Sequence, residues 1–138
     1  MKELRYAFIL IVVQVYRVGG VLFLFELQRG TLPATFAVPA GVGDILIGIT
    51  APLIGLALRS GGSIAWATAI TWNALGIIDL IYAITLGVLS QAQYILTSYL
   101  AVVPFFLVPL SIIIHIAAII FLLQKGSRKE ILFKSSND

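Results

Sequence analysis

Apolar residues in this chain come in long runs rather than in the three-and-four spacing of a soluble amphipathic helix. Four runs stand out, Tyr6–Leu27, Pro39–Leu58, Ile64–Leu89 and Pro104–Leu123. A hydrocarbon core of ~30 Å needs about 20 helical residues to cross, and each run is close to that length. Inside lipid the backbone must satisfy its own polar groups, which long helices do. The pattern predicts an all-α, polytopic membrane protein. Its four transmembrane helices form one bundle, a single transmembrane domain over residues 1–138. Pro39 and Pro104 each read as the opening residue of a helix, where a missing N–H costs no hydrogen bond.

The connections differ in character. Arg59-Ser-Gly-Gly-Ser63 reads as a tight turn. Residues 28–38 carry Gly30, Thr31, Pro33 and Thr35 and read as a loop, with Leu32, Phe36 and Val38 laid against the membrane. Ser90–Val103 mixes Gln91, Gln93, Tyr94, Thr97 and Tyr99 with Ile95 and Leu96. It is expected to form a short interfacial helix between helices three and four, its tyrosines at headgroup depth. No internal repeat is evident.

Composition strengthens this picture. The chain is 60% hydrophobic and only 11% charged, with a mean hydropathy of +1.07. A single domain this short cannot hide so much apolar side chain from water, so lipid is the expected solvent. The run from Tyr6 is longer than the apolar stretch of a signal peptide and contains Arg17, so it is expected to remain in the mature protein. The net charge of +3 is explained by topology rather than by nucleic acid. Lys2, Arg5, Arg59, Lys125, Arg128, Lys129 and Lys134 fall on one side of the predicted bundle and Arg29 alone on the other. That bias predicts both termini and the basic tail 125–138 in the cytoplasm, and the pattern looks like that of a multi-pass protein of the bacterial inner (plasma) membrane. There is no cysteine and a single histidine. Thiol chemistry is excluded and an all-protein zinc site nearly so, and no metal or cofactor is expected.

The candidate chemistry is one ionisable residue inside each span: Arg17, Asp44, Asp79 and His115. An Arg or Asp at the bilayer centre costs ~2.5–3.5 kcal/mol on insertion scales, so such residues face each other or face water. At 1.5 Å per residue, Arg17 and His115 each lie about eleven residues into their helices, near the midplane. Both aspartates fall in the outer half at similar depth, within about two turns of them. The four therefore form a predicted intramembrane polar cluster, a substrate or proton site. Gln14, Asn73 and Ser111 support it on the same helix faces. Small residues accompany them: Gly41, Gly48, Pro52 and Gly55 on helix two, and Gly76 and Ala83 on helix three. Such residues let helices approach closely in lipid. Glu26, at the end of its run, reads as an ordinary interfacial carboxylate.

Charge counting suggests more than glue between helices. One arginine neutralises one aspartate, leaving a second carboxylate in low dielectric to be neutralised by a proton on an aspartate or on His115. Pro52, Pro104 and Pro109 add breaks of the kind tolerated where backbone is buried or lines a cavity. The leading expectation is a small proton-linked transporter or channel-like protein for a small solute. It is expected to work as a homodimer or with a larger membrane partner, since four helices enclose little volume. One alternative is a non-transporting structural or accessory subunit that uses the same cluster for folding specificity. Another is a membrane-embedded enzyme or cofactor-binding protein. Against the latter, no nucleophile–base pair stands near a surface, and a haem would need His115 from two protomers.

Overall fold

The first apolar run folds in three pieces. An α-helix, α1 (Lys2–Val13), tightens into a 3-10 helix over Gln14–Gly20 and relaxes into α2 (Val21–Gln28). The piecewise span replaces the single regular helix expected over 6–27. These features come from a computed structural model that describes residues 2–92 and 99–135, with side chains described for 4–92 and 99–124. The span ends in a Schellman turn. Gly30, at φ +73°, donates its N–H to the Leu27 carbonyl at 2.9 Å, and Thr31 to that of Glu26 at 3.0 Å.

The second span, α3 (Ala34–Ser60), begins five residues before the expected Pro39. Pro33 is the residue that opens it: extended at φ −71° and ψ 140°, it offers its carbonyl to the N–H groups of Phe36 and Ala37. Pro39 sits inside the helix, where its missing N–H leaves the Thr35 carbonyl without its helical partner. Pro33, which the sequence places in a loop, is thus the proline that precedes the helix. The expected loop 28–38 shrinks accordingly. Leu32 and Phe36 turn inward to pack with Phe23, Ala37, Ala40 and Leu100, whereas Val38 faces outward. Gly61 and Gly62, at φ +84° and +96°, make the next turn in a conformation that side-chain-bearing residues rarely adopt.

The third span is α4 (Ser63–Leu89). The fourth opens with a π-helical turn over Val103–Leu107, which contains Pro104, and continues as α5 (Val108–Ser135). The helix thus runs past the expected end at Leu123 into the basic segment, where Gly126 does not interrupt it. Of the interfacial helix expected over 90–103, residues 93–98 lie outside the described residues. The described part of it is turn at Ser90–Gln91 and again from Tyr99.

Four of these helices are long and apolar enough to cross a membrane, and they pack as one all-α bundle. Successive spans alternate in direction, and the first packs on α3 and α5 while α4 packs on both of those. Outward faces are apolar, as in Leu46, Leu53, Ile78, Phe106 and Ile113. A helix bundle with such a surface is solvated by lipid, making this a multi-pass membrane protein with four candidate spans.

Inside, each span crosses the same three layers. One apolar core, towards the Arg59 end, holds Ala7, Ile11, Ile47, Ala51, Trp72, Ala118 and Leu122. The other, towards the Arg29 end, holds Phe23, Phe36, Ala37, Ala40 and Leu100. Between them lie the buried polar side chains Gln14, Arg17, Asn73, Ser111 and His115.

Candidate functional site

The 3-10 segment explains how the first span contributes to the polar layer. With three residues per turn, positions three apart share one face, and its buried residues are Gln14, Arg17 and Gly20. A 3-10 helix is also slimmer than an α-helix. The segment lies so close to α3 that a methyl group on Gly48 would stand 2.6 Å from the Val18 backbone nitrogen.

Arg17 is buried and reaches all three other spans. Its Nε donates to Asp44 Oδ1 at 2.7 Å, and its Nη2 lies 2.6 Å from the same oxygen. Nη2 also pairs with Asp79 Oδ2, and Nη1 donates to His115 Nε2 at 3.3 Å. The structure therefore brings together the four ionisable residues singled out in the sequence, one from each span, with the guanidinium at their centre.

The histidine is held from both sides. The Asn73 amide donates through Nδ2 to the Ala69 carbonyl at 2.7 Å, which turns its Oδ1 towards His115 Nδ1 at 2.9 Å. Oδ1 only accepts, so Nδ1 carries the hydrogen, and Nε2 offers its lone pair to Arg17. This network assigns a neutral imidazole with both nitrogens engaged. Trp72 closes the pocket, its ring edge-on to the imidazole with centroids 5.4 Å apart, and anchors through Nε1 to Thr50 Oγ1 at 2.9 Å.

The carboxylates are less completely used. Each gives one oxygen to Arg17, while Asp44 Oδ2 and Asp79 Oδ1 accept no hydrogen bond among the described residues. Their side chains retain 15% and 21% of their accessible surface, against 2% for Arg17. With His115 neutral, two carboxylates and one guanidinium leave the layer with one uncompensated negative charge.

Glycines make room for this assembly. A Cβ on Gly43 would overlap the Asp79 carboxylate, one on Gly76 the His115 ring, and one on Gly20 the Asp44 Cβ. Gly76 belongs to the stripe read from the sequence. Gly43 and Gly20 do not, because their partners lie on other spans and no spacing within one helix reveals them.

Of the supporting residues, Asn73 belongs to the cluster directly. Gln14 and Ser111 instead pair with each other, Gln14 Nε2 donating to the Ser111 carbonyl at 3.3 Å, and Ser111 Oγ bonds the Tyr16 hydroxyl. Gln14 Oε1 is buried without a partner among the described residues. Glu26, read from the sequence as an ordinary interfacial carboxylate, is 4% exposed and held by three partners. It accepts from Thr31 Oγ1 at 2.6 Å, from the Tyr99 hydroxyl at 2.5 Å and from Arg29 at 3.2 Å. Thr31 and Arg29 lie within five residues of it, a local signal that was available. Tyr99 is not local and was not.

Asp44 connects the layer to open space. It lines a cavity of about 350 Å³ otherwise walled by apolar side chains, Phe23, Phe36, Ala40, Leu80, Ala83 and Val108 among them. No three His, Cys, Asp or Glu side chains converge as a metal site among the described residues.

Comparison with known proteins places this architecture in a family. A family model described as a domain of unknown function (DUF8737) matches residues 1–123, and the chain belongs to that family. No curated protein matches the chain. No solved structure matches it.

Proposed function

For this member of a family without an assigned function, we propose a small proton-linked carrier for a small solute, with Arg17, Asp44, Asp79 and His115 as its site. The observation that carries the reading is the pair of aspartates sharing one guanidinium, each keeping one oxygen free of hydrogen bonds among the described residues. A permanent structural staple needs no second carboxylate, and an unbalanced charge in low dielectric is costly. A proton on the aspartate pair removes the imbalance. His115 is not its carrier, since one nitrogen donates to Asn73 and the other accepts from Arg17. The cavity against Asp44 supplies the place where a solute meets that proton. The working unit is a homodimer or a complex with a larger membrane partner, because one bundle encloses little volume.

One observation favours a second reading, a non-transporting subunit whose cluster only fixes helix order. Arg17 binds all three other spans, as a staple does. The two readings separate in proteoliposomes loaded with a pH dye and screened against solutes. The carrier acidifies or alkalises the lumen when its solute is added, and Asp79→Asn abolishes the response while the protein stays folded. A staple gives no solute-dependent proton movement with either protein.

A further inference from the structure

The chemistry of the cavity at Asp44 narrows the kind of solute. Its walls come from every span and are apolar, and Asp44 is the only charged residue among the described residues that line it. Ligand sites of this type, a few hundred Å³ of apolar wall with very few polar groups, take ligands with an apolar body and one specific polar point. The rim adds a direction of entry. Ile84, Val88 and Phe105 line the cavity and are also exposed on the outward face of the bundle. In a chain whose outward face is lipid, the mouth between α4 and the start of the fourth span opens sideways into the bilayer. The π-helical turn at Val103–Leu107 lies at this mouth.

Charge selects among lipid-soluble ligands. Among the described residues, the titratable and charged groups facing Asp44 are Arg17 on the first span, Asp79 on α4 and, through Arg17, His115 on α5. With His115 neutral their sum is one negative charge. A neutral guest leaves that charge uncompensated and an anion doubles it. A monovalent cation removes it, and Asp44 Oδ2 accepts no hydrogen bond among the described residues.

We infer that the Asp44 cavity is a binding site for a lipophilic monovalent organic cation, an ammonium or onium with an apolar body, that enters from the bilayer between α4 and the fourth span. This names the substrate class of the proposed carrier and rests on the same unbalanced carboxylate.

Two probes of the same shape and opposite charge, labelled tetraphenylphosphonium and tetraphenylborate, test it by equilibrium dialysis against the purified chain in detergent. Saturable binding of the phosphonium is expected at about one per chain, with no saturable binding of the borate. Asp44→Asn should weaken the phosphonium at least tenfold. Ala83→Phe, which fills the cavity and leaves Asp44 in place, should weaken it similarly, with folding of both variants checked by thermal melting. Equal binding of the two probes, undiminished phosphonium binding in Ala83→Phe, or no saturable phosphonium binding to the folded wild type overturns the site. A pH indicator in the same solution separates this claim from the carrier reading. Phosphonium binding without proton release supports the cation site and contradicts proton coupling. Solute-driven proton movement in proteoliposomes by a chain that binds no phosphonium leaves the carrier and removes the cation site.

Discussion

Replacing Arg17 by leucine leaves two carboxylates facing each other in the bundle with no cation between them. Removing one partner of a buried ion pair typically costs about 3–5 kcal/mol, because the other charge is stranded. Arg17→Leu is therefore expected to lower the unfolding midpoint in detergent strongly. Arg17→Leu combined with Asp44→Asn should recover part of that loss, which the double-mutant cycle measures by thermal melting. Asp79→Asn behaves differently: it leaves one aspartate against one arginine, so the fold is expected to hold while proton-linked activity is lost. The identity of these residues is legible in the sequence, since an ionisable side chain in the middle of an apolar run stands out. Their pairing follows from depth. The free oxygens do not, because they depend on how two side chains share a third. The burial of Glu26 is hidden for a related reason: a carboxylate at the end of a run looks the same whether it faces water or is capped by Tyr99.

At the level of the helix, glycines decide how close the spans come. A methyl group at Gly76 would overlap the His115 ring, which Asn73, Arg17 and Trp72 hold in place. Gly76→Ala is expected to cost about 1–3 kcal/mol, the range for overpacking a filled core. Gly19→Ala is the control. An added Cβ there meets nothing within 4 Å, so the substitution should be neutral or stabilising by up to about 1 kcal/mol. Comparative melting of the two variants checks both expectations, and equal destabilisation contradicts the close packing at Gly76. The four spans themselves are readable from run length and hydropathy alone. Their ends are less so. The second span starts at Ala34, where Leu32 and Phe36 pack into a core with distant residues, and the 3-10 segment over Gln14–Gly20 lies against α3. Neither is a local property of the chain.

Across the whole molecule, Arg5 and Arg59 share one end of the bundle, where the Arg59 guanidinium lies 5.3 Å from the centre of the Phe8 ring. Arg29 stands at the other end, beside Glu26 and Tyr99. With the charge bias of the sequence, the Arg5–Arg59 end is expected in the cytoplasm. A reporter fused after Asp138 that works only outside the cytoplasm should stay silent, and activity there reverses the orientation. The central claim, that the polar layer carries one carboxylate too many and holds a proton in exchange, is most directly tested by infrared difference spectroscopy. Spectra of the wild type, Asp44→Asn and Asp79→Asn are compared between roughly pH 5 and 8, in H2O and in D2O. The wild type should show a protonated-carboxyl band in this range that shifts in D2O and is removed by an aspartate substitution. A wild type with no such band anywhere in the range contradicts the claim.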